Sequence, residues 1–412
     1  MGTGGSRTTL RGQSGEVETT VTGPANFLDG LPVEVDPESI ERQLGLLWKP
    51  TSESQGGEGA VVRACLANLV VHVADGRDVL AVTNVLDEVS RSFPNRTQLL
   101  LAESAAAAPA GLRATVSAVC HSGASGMAPV CCEQIRWLAA DEKDAEHFAG
   151  AVAPLLVADI PVYLWWSGAL SHPLLHRLAS QADRVIVDSR KGGSDTSPFT
   201  SIRNFVRDCT LDDTFRDVVD LGWRSTAVWR KTVADIFDDT TVRAILPRLA
   251  RVEVEKTPVS DLSDQPDLPD SQTAVLLAGW IASRVRWDIE TVDEQPGGSE
   301  IICSSPRGGR GTITIRSRNN PGLSHLRAGT PVALRFHTQN STAEELVAVE
   351  LDPRAPETAR VTYKTSQVCL LPKVVPFPHP SEAALVHEAL ESPSYAGVYG
   401  EALEKAIRIA MC

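Results

Sequence analysis

The chain has 412 residues, of which 42% are hydrophobic and 22% charged, a composition typical of globular proteins with two or more domains. Its formal net charge of −13 at pH 7 argues against a sequence-independent nucleic-acid binder, which needs a basic face. No apolar run reaches the roughly 18 residues of a membrane span and no apolar signal core opens the chain, so we expect a cytoplasmic protein with no membrane partner.

The first third of the chain predicts the beginning of a parallel sheet. Residues 1–28 are rich in Gly, Thr and Ser and predict a flexible N-terminus. A helix is expected from Asp36 to Trp48, because an N-cap residue and Pro37 precede apolar residues at helical spacing. Strand-like runs at 61–74 and 98–102 flank an amphipathic helix at 77–93, and strand, helix and strand in this order form a right-handed parallel unit.

The next segment continues this domain. Runs at 112–121 and 130–139 predict two strands joined by a short Gly/Ser loop, which favours an antiparallel hairpin. A helix is predicted over 141–157, then a strand ending in Trp165-Trp166 that is apolar on both faces, as in a central strand covered by helices. A helix at 170–182, a strand at 184–188 and a helical segment over 197–250 follow. Residues 29–255 therefore predict an α/β domain with a doubly wound mixed sheet, flanking helices and C-terminal helices.

The last third predicts a smaller α+β domain. Residues 256–271 form a linker rich in Pro and Asp, and a helix over 273–287 follows it. Short strands separated by Gly, Pro and Asn turns then predict an antiparallel meander. Two helices, at 381–390 and 395–411, close a domain of residues 272–412.

Searches for catalytic, cofactor and metal motifs give no strong match. The first strand is not followed by GxGxxG, GxxxxGK[ST] is absent, and Ser167 is not in a GxSxG turn, so we predict no cofactor. His172 and His176 are spaced i, i+4, but Pro173 stands where HExxH has Glu. Cys120-His121 and Cys131-Cys132 could converge across the hairpin, where a packed, reduced core is favoured over a metal site.

Three stretches resemble one family. They are Cys131-Cys-Glu-Gln-Ile135, Pro161-Val-Tyr-Leu-Trp-Trp-Ser-Gly168 and Leu276-Leu-Ala-Gly-Trp-Ile-Ala-Ser-Arg-Val-Arg-Trp287, and they resemble the OpcA family, the glucose-6-phosphate dehydrogenase assembly proteins. The resemblance spans about residues 35–410. It implies a non-enzymatic cytosolic partner of glucose-6-phosphate dehydrogenase, needed for assembly or activation of that enzyme in cyanobacteria and actinobacteria. In cyanobacteria the family is tied to thioredoxin-dependent redox control of the oxidative pentose phosphate pathway, which adds thioredoxin as a candidate partner.

We therefore expect an allosteric activator that favours the active state of the dehydrogenase. The resemblance supplies no catalytic residues, and the candidate partner-binding residues are Glu133, Gln134, Trp165, Trp166, Trp280, Arg284 and Arg286. Each has a structural alternative: the tryptophans as core, Glu133 and Gln134 as a buried hydrogen-bond network, and the arginines as partners of a helix C-terminus. Cys369 and Cys412 are the candidate redox residues.

Two other functions remain open at this point. One is an α/β enzyme that acts on a sugar phosphate or nucleotide, with its site near Ser167-Gly168 at the end of the Trp-Trp strand. The other is a scaffold that joins the dehydrogenase to other proteins through the acidic linker.

Overall fold

A computed structural model describes eleven segments of the chain: residues 33–53, 62–102, 111–121, 130–191, 197–211, 217–258, 272–306, 308–338, 345–364, 371–392 and 396–411. The predicted N-terminus 1–28, most of the linker, and the redox candidates Cys369 and Cys412 lie outside the described residues.

The helices of these segments are numbered in chain order. They are α1 (Ile40–Glu53), α2 (Val79–Ser92), α3 (Glu142–Ala145), α4 (Phe148–Val152), α5 (Pro173–Ala179), α6 (Pro198–Leu211), α7 (Leu221–Ser225), α8 (Ala227–Phe237), α9 (Thr240–Arg243), α10 (Gln272–Val285), α11 (Glu382–Glu391) and α12 (Ala396–Met411). Within the described segments, each helix is too short or too polar to cross a bilayer.

The strands are numbered in the same way. They are β1 (Val33–Val35), β2 (Val62–Arg63), β3 (Ala67–Val73), β4 (Asn95–Ala102), β5 (Leu112–His121), β6 (Val130–Ala139), β7 (Val162–Trp166), β8 (Arg184–Val187), β9 (Asp217–Asp220), β10 (Leu249–Lys256), β11 (Asp288–Gln295), β12 (Gly298–Ser304), β13 (Arg310–Ser317), β14 (Pro331–Thr338), β15 (Leu346–Asp352), β16 (Ala355–Lys364) and β17 (Lys373–Pro376).

The first sheet has the order β1-β5-β6-β4-β3-β7-β8-β9, and β2 pairs with β6. Its six strands from β6 to β9 in this order are parallel, whereas β5 and β1 are antiparallel to their neighbours. Numbered along the chain, the parallel strands follow the order 3-2-1-4-5-6 of doubly wound sheets. The structure thus confirms the predicted doubly wound mixed sheet and the hairpin of β5 and β6.

Helices cover the centre of this sheet on both faces. On one face Leu164 and Trp166 belong to a large core that α1 and α4–α6 complete. On the other face Trp165 belongs to a second core that is covered by α2 and α11. Only 4% of Trp165 and 2% of Trp166 is exposed, as the two-sided apolar sequence of β7 predicts for a central strand.

The second sheet has the order β11-β12-β13-β10-β14-β15-β16-β17. All neighbouring strands are antiparallel except β10 and β13, so the predicted meander is extended by one parallel pair. The strand β10 spans the end of the predicted α/β domain, residues 29–255, and the first residue of the predicted linker, yet it is central in this sheet. Its Val252 and Val254 are buried, while Glu253 and Glu255 lie on the face where Arg335 binds both.

Several predicted helices are shorter in the structure. The helix expected over 141–157 is divided into α3, α4 and a 3₁₀ turn at Ala153–Leu155, which contains Pro154. The helix expected over 170–182 begins only at Pro173, capped by His172, whose Nδ1 accepts from the Leu174 N–H at 3.1 Å. The helical segment expected over 197–250 is interrupted by the strand β9 and then by Thr226, which separates α7 from α8 and whose hydroxyl donates to the Trp223 carbonyl.

Candidate interaction site

Glu133 lies in a buried ionic network beneath α1. The Arg96 Nε donates to Glu133 Oε2 at 2.7 Å, and its Nη1 donates to Glu41 Oε1 at 2.6 Å and to the Leu155 carbonyl at 2.9 Å. Arg63 binds the other carboxylate oxygen of Glu133 at 2.9 Å. Burial would lower the pKa of Arg96, but the charges of Glu133 and Glu41 outweigh it and raise that pKa. The network joins β2, β4, β6 and α1, so Glu133 holds elements of the fold together.

A disulfide lies beside this network. Cys120 of β5 and Cys131 of β6 are directly opposite each other and are bonded, with their Cα atoms 4.0 Å apart. This corrects the expectation of a reduced core at these two positions. Cys132 remains a buried thiol, and burial raises its pKa. Within the described segments, no group of three or more His, Cys, Asp or Glu side chains is placed to hold a metal ion.

Gln134, next to Glu133 in sequence, points to the opposite face of the sheet and lines a groove. Along β6 buried residues alternate with half-buried ones from residue 133 to 139, so one face of this strand is partly open. The groove encloses about 250 Å³ between α2 and the strands β4, β5 and β6. Its lining includes Asp87, Thr115, Ser117, Gln134 and Arg136. We call this surface the open face.

The open face carries a cation with no neutralising partner among the described residues. Arg136 lies opposite Thr115 of β5 and Leu99 of β4, both of which are uncharged. Its half-buried guanidinium forms no ion pair or hydrogen bond with any residue that the structure describes. An arginine fork in such a polar groove is suited to carboxylates or carbonyl oxygens of another molecule.

The carboxyl end of β7 forms a separate, smaller site of about 100 Å³. Gly168 turns the chain there with a φ of 135°, which favours glycine. The His72 ring stacks on Trp166 with centroids 3.9 Å apart, and its Nδ1 lies 2.6 Å from the Ser167 carbonyl oxygen. Burial lowers the pKa of His72 to about 4, against the opposing effect of that carbonyl, so the ring is neutral at pH 7. Ser167 and Gly168 therefore lie beside a packed, uncharged imidazole.

The histidines at i, i+4 spacing serve packing and capping. His172 caps α5, and its Nε2 lies 3.3 Å from Glu142 Oε1. His176 packs edge-on against Phe205, with ring centroids 5.6 Å apart. These contacts give each ring a structural role.

The remaining candidates lie around the end of α10. Trp280 is 7% exposed and belongs to the core, whereas Arg284 is 39% exposed and pairs with Glu401 of α12. Arg286 follows the helix with a φ of 58°, the left-handed conformation that ends many helices. The sequence-predicted residues are therefore spread over two regions, and among them Gln134, Arg284 and Arg286 offer accessible side chains.

Three arginines that the sequence did not single out hold α11 against the first sheet. Arg190 Nη2 lies 2.8 Å from Glu382 Oε2 at the start of this helix. Arg224 Nη1 donates to Glu388 Oε1 at 2.8 Å, and Arg184 Nη1 donates to the Ala389 carbonyl at 2.6 Å. Each contact joins positions more than 160 residues apart in sequence, so no local pattern could have indicated it.

Two consecutive parts of the chain match the N-terminal and C-terminal domains of one protein family. Residues 86–204 match the glucose-6-phosphate dehydrogenase subunit N-terminal domain of the OpcA type, and residues 216–403 match the corresponding C-terminal domain. The two matches cover most of the described sheet and helix elements, including the open face and the arginine contacts of α11.

Two cyanobacterial proteins are similar to part of the chain. The OxPP cycle protein OpcA of Nostoc punctiforme is 27% identical over 226 residues, which are 54% of this chain and 43% of that protein. The OpcA protein of Synechocystis is 25% identical over 194 residues, 46% of this chain and 37% of that protein. The matched region thus spans less than half the length of these curated relatives.

Solved structures show a weaker, general likeness. KijD10, a 3-ketoreductase from Actinomadura kijaniata in complex with NADP and TDP-benzene, has a TM-score of 0.45 and 10% identity, covering 84% of this chain and 96% of that chain. UDP-N-acetylglucosamine 3-dehydrogenase GnnA from Acidithiobacillus ferrooxidans has a TM-score of 0.42 and 10% identity, covering 84% and 97%. Because one fold hosts many functions, such a likeness assigns no chemistry to this chain.

Proposed function

Because this chain belongs to the OpcA family of glucose-6-phosphate dehydrogenase assembly proteins, we propose that it binds glucose-6-phosphate dehydrogenase in the cytoplasm and promotes its assembly into an active form. The match of both halves of the chain to this family carries the proposal. The protein itself acts by binding and transforms no substrate.

The proposed mechanism is a shift in the conformational equilibrium of the dehydrogenase. A partner that binds the active conformation or oligomer better than the inactive one moves the population by the difference in affinity. A hundredfold preference corresponds to about 2.7 kcal/mol. The dehydrogenase would then bind its substrate more tightly although no side chain of this protein enters its active site.

We propose the open face as the contact surface for the dehydrogenase. Gln134 and Arg136 are half-buried there, and Arg136 is without an ionic partner among the described residues. Arginine is enriched at protein interfaces because its planar fork can bind several acceptors. In this proposal Trp165, Trp166 and Trp280 act indirectly, because their buried side chains hold the sheets and helices that form the surface.

Variants of the open face test its role. Arg136→Glu reverses the unpaired charge, and we expect it to weaken binding of the dehydrogenase by at least about tenfold. Gln134→Ala removes a neighbouring amide and tests the same surface without a change in charge. Arg177→Glu is the matched control, because this exposed arginine lies on α5, away from the groove.

Affinity is measured by titrating each variant against the dehydrogenase from the same organism, with melting temperatures checked to confirm folding. Wild-type affinity in both open-face variants would assign the contact to another surface. Equal weakening in all three variants would mean that overall charge, and not this groove, determines binding.

The redox part of the proposal concerns disulfide chemistry. Cys369 and Cys412 are candidates that lie outside the described residues. The Cys120–Cys131 disulfide joins the two strands that carry much of the open face, and cytosolic thiol systems favour reduction of accessible disulfides. We expect a reductant such as thioredoxin to change the affinity for the dehydrogenase. The affinity for the dehydrogenase is measured with and without dithiothreitol, for the wild type and for the double variant Cys369→Ser/Cys412→Ser. If dithiothreitol changes the affinity of neither protein, redox control is contradicted.

A further inference from the structure

The second sheet has one face that packs against helices and one face that is charged. The helices α10 and α12 pack against this sheet, and Val252, Val254 and Phe336 belong to the core on that side. Because side chains alternate along a strand, Glu253 and Arg335 point to the opposite face. We call the side of this sheet that carries Glu253 and Arg335 the charged face.

The strand register arranges the side chains of the charged face in rows that cross the sheet. The strands β10 and β14 are the fourth and fifth of the eight, so the centre of the face lies between them. Going from β12 to β16, one row contains Glu300, Thr314, Glu253, Arg335, Ala348 and Thr362. Going from β13 to β16, the next row contains Arg316, Glu255, Ala333, Glu350 and Arg360. Charges of both signs thus occur on each side of the centre.

The charges at the centre of this face already have partners in the same chain. Arg335 forms ion pairs with Glu253 and Glu255, at 3.6 and 2.7 Å. Ala333 and Ala348 lie between these charged side chains and are each 3% exposed. Because the side chains at the centre are small or paired, a second sheet can pack there at the usual distance of about 10 Å.

The charges farther from the centre are more accessible. Arg316 and Lys364 are exposed and form no ion pair with any residue that the structure describes. The Arg360 side chain is 53% exposed. Glu300 is half-buried and accepts a hydrogen bond from a glutamine amide of β11 at 3.0 Å. These side chains can therefore form ion pairs with another molecule that covers the face.

We propose that two copies of this chain bind each other through the charged face, related by a two-fold axis that runs parallel to the strands between β10 and β14. This symmetry places β10 over β14 of the second copy, β13 over β15 and β12 over β16, because the strands of each pair are equally far from the centre. The proposal concerns this chain alone and does not depend on the dehydrogenase.

The two-fold axis brings opposite charges together. Arg316 of one copy faces Glu350 of the second copy, because both lie in the same row and on strands equally far from the centre. Glu300 faces the middle of β16, between Arg360 and Lys364 of the second copy. Each of these contacts occurs twice in the dimer. The charged face is therefore complementary to itself, as an interface between two identical chains requires.

The angle between packed sheets preserves this pairing. Aligned sheets cross at about 30°, and β12 lies about 12 Å from the axis. At that distance the angle moves facing strands by about two residues, which brings Glu300 level with either Arg360 or Lys364. Both of these residues carry the opposite charge.

The size of the face is sufficient for a stable dimer. Most of its eight strands have seven or eight residues. With strands about 4.8 Å apart and about 3.3 Å per residue, the face covers about 800 Å². A dimer would then bury about 1,600 Å² in total, which is the usual area of a specific protein–protein interface.

Sedimentation equilibrium of the isolated full-length chain tests the dimer. The chain has a mass of 44.2 kDa, and a dimer has twice that mass. We expect a dissociation constant of about 10 µM or below in about 50 mM NaCl, and association at least about tenfold weaker in about 0.5 M NaCl, which screens the facing charges. A mass of 44.2 kDa for the wild type at about 100 µM protein in the low-salt buffer would overturn the proposal.

Two charge-reversed variants locate the interface. Glu300→Arg and the double variant Arg360→Glu/Lys364→Glu each place like charges opposite each other, so each should weaken self-association by at least about tenfold. In an equimolar mixture, the two different variants again present opposite charges to each other at these positions, so we expect a heterodimer to form. Arg177→Glu is the control, because this exposed arginine lies on α5, outside the second sheet, and the variant should associate like the wild type.

Melting temperatures confirm that the variants fold. Association of both variants with wild-type affinity, or a mixture that remains monomeric, would exclude the two-fold arrangement, and the proposal would be wrong. A monomeric wild type whose affinity for the dehydrogenase falls in Glu300→Arg would assign the charged face to that enzyme and would also overturn the proposal.

Discussion

Replacing Gly279 with alanine should destabilise the protein through the contact between α10 and α12. These two helices pack closely, and Gly279 lies where their backbones approach each other. A Cβ atom at this position would lie 2.6 Å from the Ala402 carbonyl oxygen and 2.8 Å from the Ala406 nitrogen. Because both are backbone atoms, no side-chain rotation can relieve the overlap, and the helices must separate.

Two opposing terms set the size of the effect. Alanine is favoured over glycine inside a helix by about 1 kcal/mol. Overpacking in a close-packed interior costs about 1–3 kcal/mol, and contact with backbone places this case near the upper end. We therefore expect Gly279→Ala to lower the free energy of unfolding by about 2 kcal/mol.

The assay is urea denaturation, with Gly400→Ala in α12 as the matched control. Apart from the backbone of its own helix, no atom of the described residues lies within 4 Å of a Cβ at Gly400, so alanine there should stabilise the protein by up to about 1 kcal/mol. The two substitutions are chemically identical and differ in the space around them. A Gly279→Ala protein that is as stable as the wild type would refute the reasoning about close helix packing.

Three further predictions concern buried polar groups and the disulfide. The pKa of His72 is about 4 in the folded protein, so the unfolded chain takes up a proton first and stability falls as pH drops from about 6.5 towards 4. His72→Phe should remove about 2 kcal/mol of the difference in unfolding free energy between pH 8 and pH 5, measured with urea; an unchanged difference would show that this ring does not titrate as described. Glu133→Gln should cost about 3 kcal/mol because it leaves the buried charge of Arg96 with a weaker partner, and a loss below about 1 kcal/mol in the same assay would contradict this. Replacing Cys120 and Cys131 together with Ser should cost about 2–3 kcal/mol, as expected for closing a short loop, and equal stability of the variant and the oxidised wild type would contradict this.

The elements that sequence reasoning identified well are those with one dominant periodic pattern. The β5 and β6 runs alternate and are separated by a short loop, and β7 is apolar on both faces, which are local properties of the chain. The strand β10 was overlooked although Val252 and Val254 alternate with Glu253 and Glu255. Partners of these glutamates come from distant parts of the chain: Arg335 binds both, and Arg318 binds Glu255. The extent of helices was overestimated where Pro154 and Thr226 interrupt otherwise apolar segments.

The candidate site illustrates a different limit. Glu133 and Gln134 are neighbours in a strand, so their side chains point to opposite faces, and the sequence predicts this alternation. Which face is open depends on where α2 and α11 pack, and α11 lies more than 200 residues away in the chain. The sequence alone could not show whether the Trp165-Trp166 pair lies in the core or at an interface. An aromatic side chain buries the same apolar area in both places and stabilises the fold in one case and a complex in the other.

The central claim is that this protein acts by binding glucose-6-phosphate dehydrogenase. The most direct measurement mixes the purified chain with the dehydrogenase of the same organism, determines the mass of the mixture by size-exclusion chromatography with light scattering, and assays activity at low glucose 6-phosphate. The account predicts a complex heavier than either protein, together with higher activity at low substrate. Separate elution of the two proteins with unchanged activity would contradict it.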